Sequence, residues 1–126
     1  MNPTLRTFAL TLALTTASAH AQTVNIRWNS AGQFVYGGAV SGGGFIELCD
    51  KLPAGLTIDW SFTSSVPVAS EVHYHEGKQV VYAAKHPSAA SLKDQLTVKT
   101  EQDYCWMWSN NIRLPFRIDV QLVKAR

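Results

Sequence analysis

The sequence predicts an all-β protein, an antiparallel β-sandwich of about eight short strands preceded by a signal peptide that is cleaved on export. Three observations carry that expectation. Leu56, Ile58, Trp60 and Phe62 share one face of an extended stretch and Thr57, Asp59, Ser61 and Thr63 the other, which is the period of a half-buried strand. Similar alternating runs recur along the chain with Gly, Pro or Asn between them. No part of the chain after the leader holds a convincing helical period.

Taking the elements in order, residues 1–21 read as a secretory signal. Arg6 is the cationic lead, the apolar stretch runs from Phe8 to about Ala17, and Ala19-His20-Ala21 supplies the small-residue cleavage site before Gln22. That apolar stretch is too short to cross a bilayer, and no second run long enough follows, so no transmembrane anchor is expected. Residues 22–126 then form one domain, placed in the periplasm or outside the cell, with a monomer as the expected state. The chain carries 11 Lys and Arg against 9 Asp and Glu, and Arg6 leaves with the leader. The basic residues are scattered, which excludes a nucleic-acid footprint.

Within the domain, Val24, Ile26 and Trp28 alternate as a first strand, and Gln33 to Tyr36 reads as a second. Gly37, Gly38, Gly42, Gly43 and Gly44 then read as a mobile loop or a bulge. They are not a phosphate cradle, since neither a Gly-Lys-Ser/Thr nor a helix follows. Phe45 to Leu48 leads into Cys49 as a strand, and Leu56 to Phe62 is the central one. Val68 to Tyr82 reads as a hairpin turning at Glu76-Gly77-Lys78, with Ser64 to Pro67 before it as a break. Ala83 to Ser91, containing His86-Pro87-Ser88, reads as a loop because Pro lacks a ladder donor. Leu96 to Lys99 and Asp103 to Trp108 are strands, Asn110-Asn111 is a turn, and Ile112 to Lys124 closes the chain with Pro115 as a bulge or a start.

Four sets of residues are candidates for function. Cys49 and Cys105 are the two cysteines, and in an oxidising compartment an even pair is most simply a disulfide, with a redox or metal thiol as the alternative. Glu71, His73 and His75 share one strand face, with a spacing close enough for two imidazoles to converge on one Zn or Cu ion, though it fixes no third ligand. The plain alternative is a solvated polar face, and His86 or Glu76 is the residue that would complete a metal set. Histidines with Cys105 and Met107 suggest a copper electron-transfer site, but no histidine follows Cys105. Tyr104, Trp106 and Trp108 lie on one face of their strand, where aromatic residues more often fill a core than form an exposed binding platform. No nucleophile elbow, metalloprotease motif or cooperating carboxylate pair is present, so no catalytic residue is expected and the chain does not read as an enzyme.

The stretch from Leu56 to Val123 resembles the GOLD (Golgi dynamics) domain, a β-sandwich of small Golgi cargo receptors. The resemblance lies in Cys49 ahead of the connection to LTIDWSF, in the VHYHEGKQVVY hairpin, in YCWMWSN with its aromatics, cysteine and terminal Asn110, and in the closing FRIDVQLV. It implies a β-sandwich with Cys49 and Cys105 as the family's disulfide, and it brings no catalytic residues. The receptors' coiled coil and membrane span have no counterpart around Lys124-Ala125-Arg126. The expected function is therefore an exported binding or interaction module with a protein or lipid partner and no cofactor. The alternative is a periplasmic metal-binding protein using His73 and His75.

Overall fold

The computed structural model describes residues 21–125. The expected signal peptide lies outside them except for Ala21. The described residues form seven strands: β1 (Ala21–Asn25), β2 (Gln33–Val40), β3 (Phe45–Leu52), β4 (Thr57–Glu76), β5 (Gln79–Thr97), β6 (Gln102–Ser109) and β7 (Phe116–Lys124). They make one curled, mixed sheet in the order β1-β3-β6-β4-β7-β2, with β5 along β4. The all-β class is the one the alternating runs predict. β1 departs from the antiparallel expectation and pairs parallel to β3.

Two long strands turn this one sheet into two facing leaves. The first half of β4 pairs with β7 from Ile58 to Ser64, and its second half pairs with β6 from Ala69 to His73. β5 accompanies β4 through both halves, with register shifts between Thr63 and Val68 and again between Val68 and Ser70. Pro67 and Pro87 sit at this corner. Their missing N–H donors fall where the ladder is already interrupted, so the strands bend there instead of ending. This corrects two expectations, since Ser64 to Pro67 is not a break and Ala83 to Ser91 is not a loop. Gly37 and Gly38 are likewise not a mobile loop but pair with Asp119 and Ile118 on β7.

The core lies between the leaves. Ile58, Trp60 and Phe62 of β4 and Phe116, Ile118, Val120 and Leu122 of β7 face Ile46, Leu48, Val72, Trp106 and Trp108 of the other leaf, and all are buried. Trp108 meets Phe62 edge-on at 5.6 Å between ring centroids and Trp60 at 6.5 Å. The hairpin between β4 and β5 turns on Gly77 with φ 60°, while no non-glycine residue among those described has positive φ. A positive φ at the first central position alone is the II′ pattern, which suits the twist of the strands and explains Gly at that place.

Candidate functional site

Two surfaces gather the residues that have chemistry to offer. The first is the outer face of the leaf made by β3, β6 and the second half of β4. Strand pairing places Cys49, Cys105 and His73 in one row across it, and Glu47, Met107 and Glu71 in the next. Cys49 and Cys105 lie directly opposite each other, 4.2 Å apart at Cα, and their sulfurs are joined. No cysteine is free, so a thiolate ligand is absent and the copper electron-transfer reading built on Cys105 and Met107 is overturned.

His73 is enclosed beside this disulfide, 3 % exposed. Its Nδ1 lies 3.3 Å from Glu71 Oε1 and its Nε2 lies 3.5 Å from Glu47 Oε1, which reaches it across β6. Nδ1 is buried and has no hydrogen-bond partner. His75, two residues on along β4, is exposed, and its ring stands 5.3 Å from that of His73 at 86°. Lys85 sits opposite Glu71 on β5, with its amine over the ring of Tyr82 at 4.1 Å. Glu71, His73 and His75 therefore share a face as their spacing requires. Glu47 joins them unannounced, because it takes the pairing of β3 with β6 and of β6 with β4 to bring it there. His86 is elsewhere, with its Nε2 3.0 Å from Asp94 Oδ2.

Tyr104, Trp106 and Trp108 do not form a platform. They are 2 %, 0 % and 0 % exposed, because this face of β6 is the one that closes against the other leaf. The Tyr104 hydroxyl donates to the Thr100 carbonyl at 2.9 Å. Burial pushes its phenol up from the usual range, the neighbouring Tyr74 adds to this, and the bond to Thr100 opposes it.

The second surface is the connection from β6 to β7, expected to be mostly strand but in fact a loop from Asn110 to Pro115. Asn110 is a buried polar residue, 2 % exposed, and its side chain organises the loop. Its Nδ2 donates to the carbonyls of Val40 at 3.0 Å and Leu114 at 2.9 Å, and its Oδ1 accepts from the Ile112 N–H at 3.0 Å. Two backbone bonds fasten the same loop to the glycines after β2, from Asn110 N to the Gly44 carbonyl at 2.8 Å and from Gly43 N to the Ile112 carbonyl at 3.1 Å. Gly42 is required here by close approach, since a Cβ on it would meet the Arg113 carbonyl carbon at 2.5 Å and overlap its oxygen. Above this frame Ile112 and Leu114 are 51 % and 72 % exposed, with Arg113 exposed between them. The terminal Asn of YCWMWSN was the available signal for a turn; which side chains the turn would lift out was not readable. Asn110→Ala is expected to cost about 1 to 3 kcal/mol, by leaving buried carbonyls unpaired, and to speed hydrogen exchange at the Ile112 amide. Urea unfolding with amide exchange checks both.

These features define a small, disulfide-linked β-sandwich with a braced, apolar and basic loop. No protein-family model matches the sequence, and no curated protein matches it significantly. Among solved structures, the chain is similar to Aeromonas hydrophila PliG, a periplasmic lysozyme inhibitor of g-type lysozyme, at 14 % identity and TM-score 0.63 over 83 % of this chain and 97 % of that one. It is similar to Salmonella Typhimurium PliG at 16 % identity and TM-score 0.58, over 82 % of this chain and 98 % of that one. A third likeness is to the pre-peptidase C-terminal domain of a Bacillus anthracis collagenase, at 14 % identity and TM-score 0.54, over 84 % and 99 % of the two chains. At such identities the likeness shows the fold. Among the described residues no helix is long and apolar enough to cross a membrane.

Proposed function

We propose that this chain is an exported, non-catalytic module that binds another protein, and that the loop from Asn110 to Pro115 is the part its partner receives. The loop itself carries this reading. Single exposed apolar side chains are ordinary on a protein surface. Ile112 and Leu114 flank Arg113 on a backbone already fixed by Asn110 and Gly43, so a partner that takes them up orders little additional chain. The disulfide and the expected leader at residues 1–21 support export.

The partner class follows from the fold's likeness to the two PliG proteins together with the chemistry of the loop. A lysozyme cleaves glycosidic bonds with a pair of carboxyl groups in its cleft. A guanidinium held between two apolar side chains complements such a cleft, with the charge pairing to carboxylate and the apolar groups packing on the walls. A g-type lysozyme is accordingly the partner to test first. The GOLD resemblance is the narrower statement of family within the same reading: an exported sandwich with the Cys49 and Cys105 pair that works by binding protein.

The test is lysis of a cell-wall suspension by g-type lysozyme in the presence of residues 22–126. The chain is expected to inhibit at near-equimolar concentration. Arg113→Ala is expected to weaken inhibition about 30-fold, the loss of a contact at the centre of an interface. Gly42→Ala, which displaces the Arg113 carbonyl, weakens it as well. Val35→Ala, on exposed β2 surface, leaves it unchanged. Lack of inhibition of g-, c- and i-type lysozymes alike would remove lysozyme as the partner, and equal inhibition by the loop variants would remove the loop.

A further inference from the structure

We propose that the free edge of β5 from Ser91 to Thr97, with the cleft beside it, binds an extended peptide segment of a partner protein in which apolar and acidic residues alternate. The site is separate from the loop, which follows the far end of β6, and does not depend on the lysozyme reading.

The open backbone comes first. Among the described residues β5 pairs with β4 alone, so the main-chain groups on its other side have no strand to bond. Such an edge is a template for one further strand, whose main-chain bonds supply affinity and whose alternate side chains supply specificity. Because β4 and β5 bend together at Pro67 and Pro87, the two halves of β5 lie on facing leaves. Between them is a cleft of about 440 Å³, bordered by Val81 to Ala83 on one side and by Gln95 to Thr97 on the other. The corner end of this gap is bridged from one half of β5 to the other by His86 Nε2 and Asp94 Oδ2, 3.0 Å apart.

The side chains decide what an added strand must carry. Towards the core the cleft offers buried Leu96 and the rings of Tyr74 and Tyr104, which meet edge-on at 5.1 Å, so that side takes apolar groups. On the outward side Lys93 and, two residues past the strand, Lys99 are exposed. Neither has a carboxylate within ion-pair distance among the described residues. The two acids closest along the ladder are engaged elsewhere, Asp94 with His86 and Asp59 with Gln95 Nε2 at 2.7 Å. An outward residue of the added strand therefore meets unpaired lysine and is acidic. Successive side chains of a strand point to opposite sides, so the two demands give one pattern, apolar inward and acidic outward. A second copy of this chain does not meet it, since edge-to-edge pairing sets Lys93 and Lys99 against lysine.

Titration of the isotopically labelled, disulfide-intact chain, residues 22–126, with an end-blocked peptide of alternating valine and glutamate tests the proposal. Saturable binding of one peptide per chain is expected, with amide shifts concentrated at Ser91 to Thr97 and Val81 to Ala83. Lys93→Glu combined with Lys99→Glu, both at exposed positions, is expected to weaken binding at least about 10-fold with the melting curve unchanged. Arg117→Ala, which removes an exposed cation on β7, keeps full affinity. A strand in a ladder bonds to its neighbour through alternate residues, so methylating one alternate set of peptide nitrogens is expected to abolish binding, while methylating the other set leaves it. A peptide of alternating valine and lysine is expected not to bind. Absence of saturable binding, equal binding of the lysine peptide, or binding that survives both methylation patterns overturns the proposal.

Discussion

Trp108→Ala is expected to lower the stability of the folded domain by about 3 to 5 kcal/mol, enough to leave little of it folded at moderate urea. Trp108 is fully buried on β6 and touches Phe62 and Trp60, which belong to the opposite leaf. It is therefore one of the side chains that hold the leaves together, and truncation opens a cavity between sheets that cannot close without moving both. Its indole N–H makes no hydrogen bond, nor do those of Trp60 and Trp106. Trp108→Phe removes that unpaired group along with part of the volume, so its loss is expected to be well under that of the alanine variant. Urea unfolding followed by circular dichroism measures both. An alanine variant with an unchanged midpoint would return Tyr104, Trp106 and Trp108 to the surface as a binding platform.

Removing the disulfide is expected to have a comparable effect. Cys49 and Cys105 are 56 positions apart in sequence, and a cross-link over that separation restricts the unfolded chain by about 4 kcal/mol in the chain-entropy account. The bridge also fixes register, since it joins directly opposed residues of β3 and β6 and lies beside His73 on β4. Cys49→Ala with Cys105→Ala is expected to lower the melting temperature by about 15 °C or more. Equal melting with and without reductant would show that the bridge restricts neither state.

Much of the fold was legible because alternation is a local property. Trp60 and Phe62, Trp106 and Trp108, and Ile118, Val120 and Leu122 could be assigned a buried face from their neighbours alone, and all of them hold it. The long strands were not legible. Pro67 and Pro87 are signals for an ending, and they become a shared corner only because β4 and β5 bend at the same place, a fact of pairing that no local pattern contains. Gly37 and Gly38 are a similar case, since their lack of side chains matters less than the ladder β7 offers them. On the outer face of β3, β6 and β4 the period of two put Glu71, His73 and His75 together, while Glu47 arrives by way of two strand pairings. The loop showed only its turn residue, Asn110. Its bonds to Val40 and Leu114 and the resulting exposure of Ile112 and Leu114 are tertiary facts.

Amide chemical-shift mapping of the isotopically labelled chain, residues 22–126, titrated with g-type lysozyme tests whether the braced loop is the binding surface. Shifts or line broadening are expected to concentrate at Ser41 to Gly44 and Asn110 to Leu114, with β1 and the Gly77 turn unaffected. Saturable binding that perturbs the outer face of β3 and β6 and leaves Asn110 to Leu114 unmoved would contradict it.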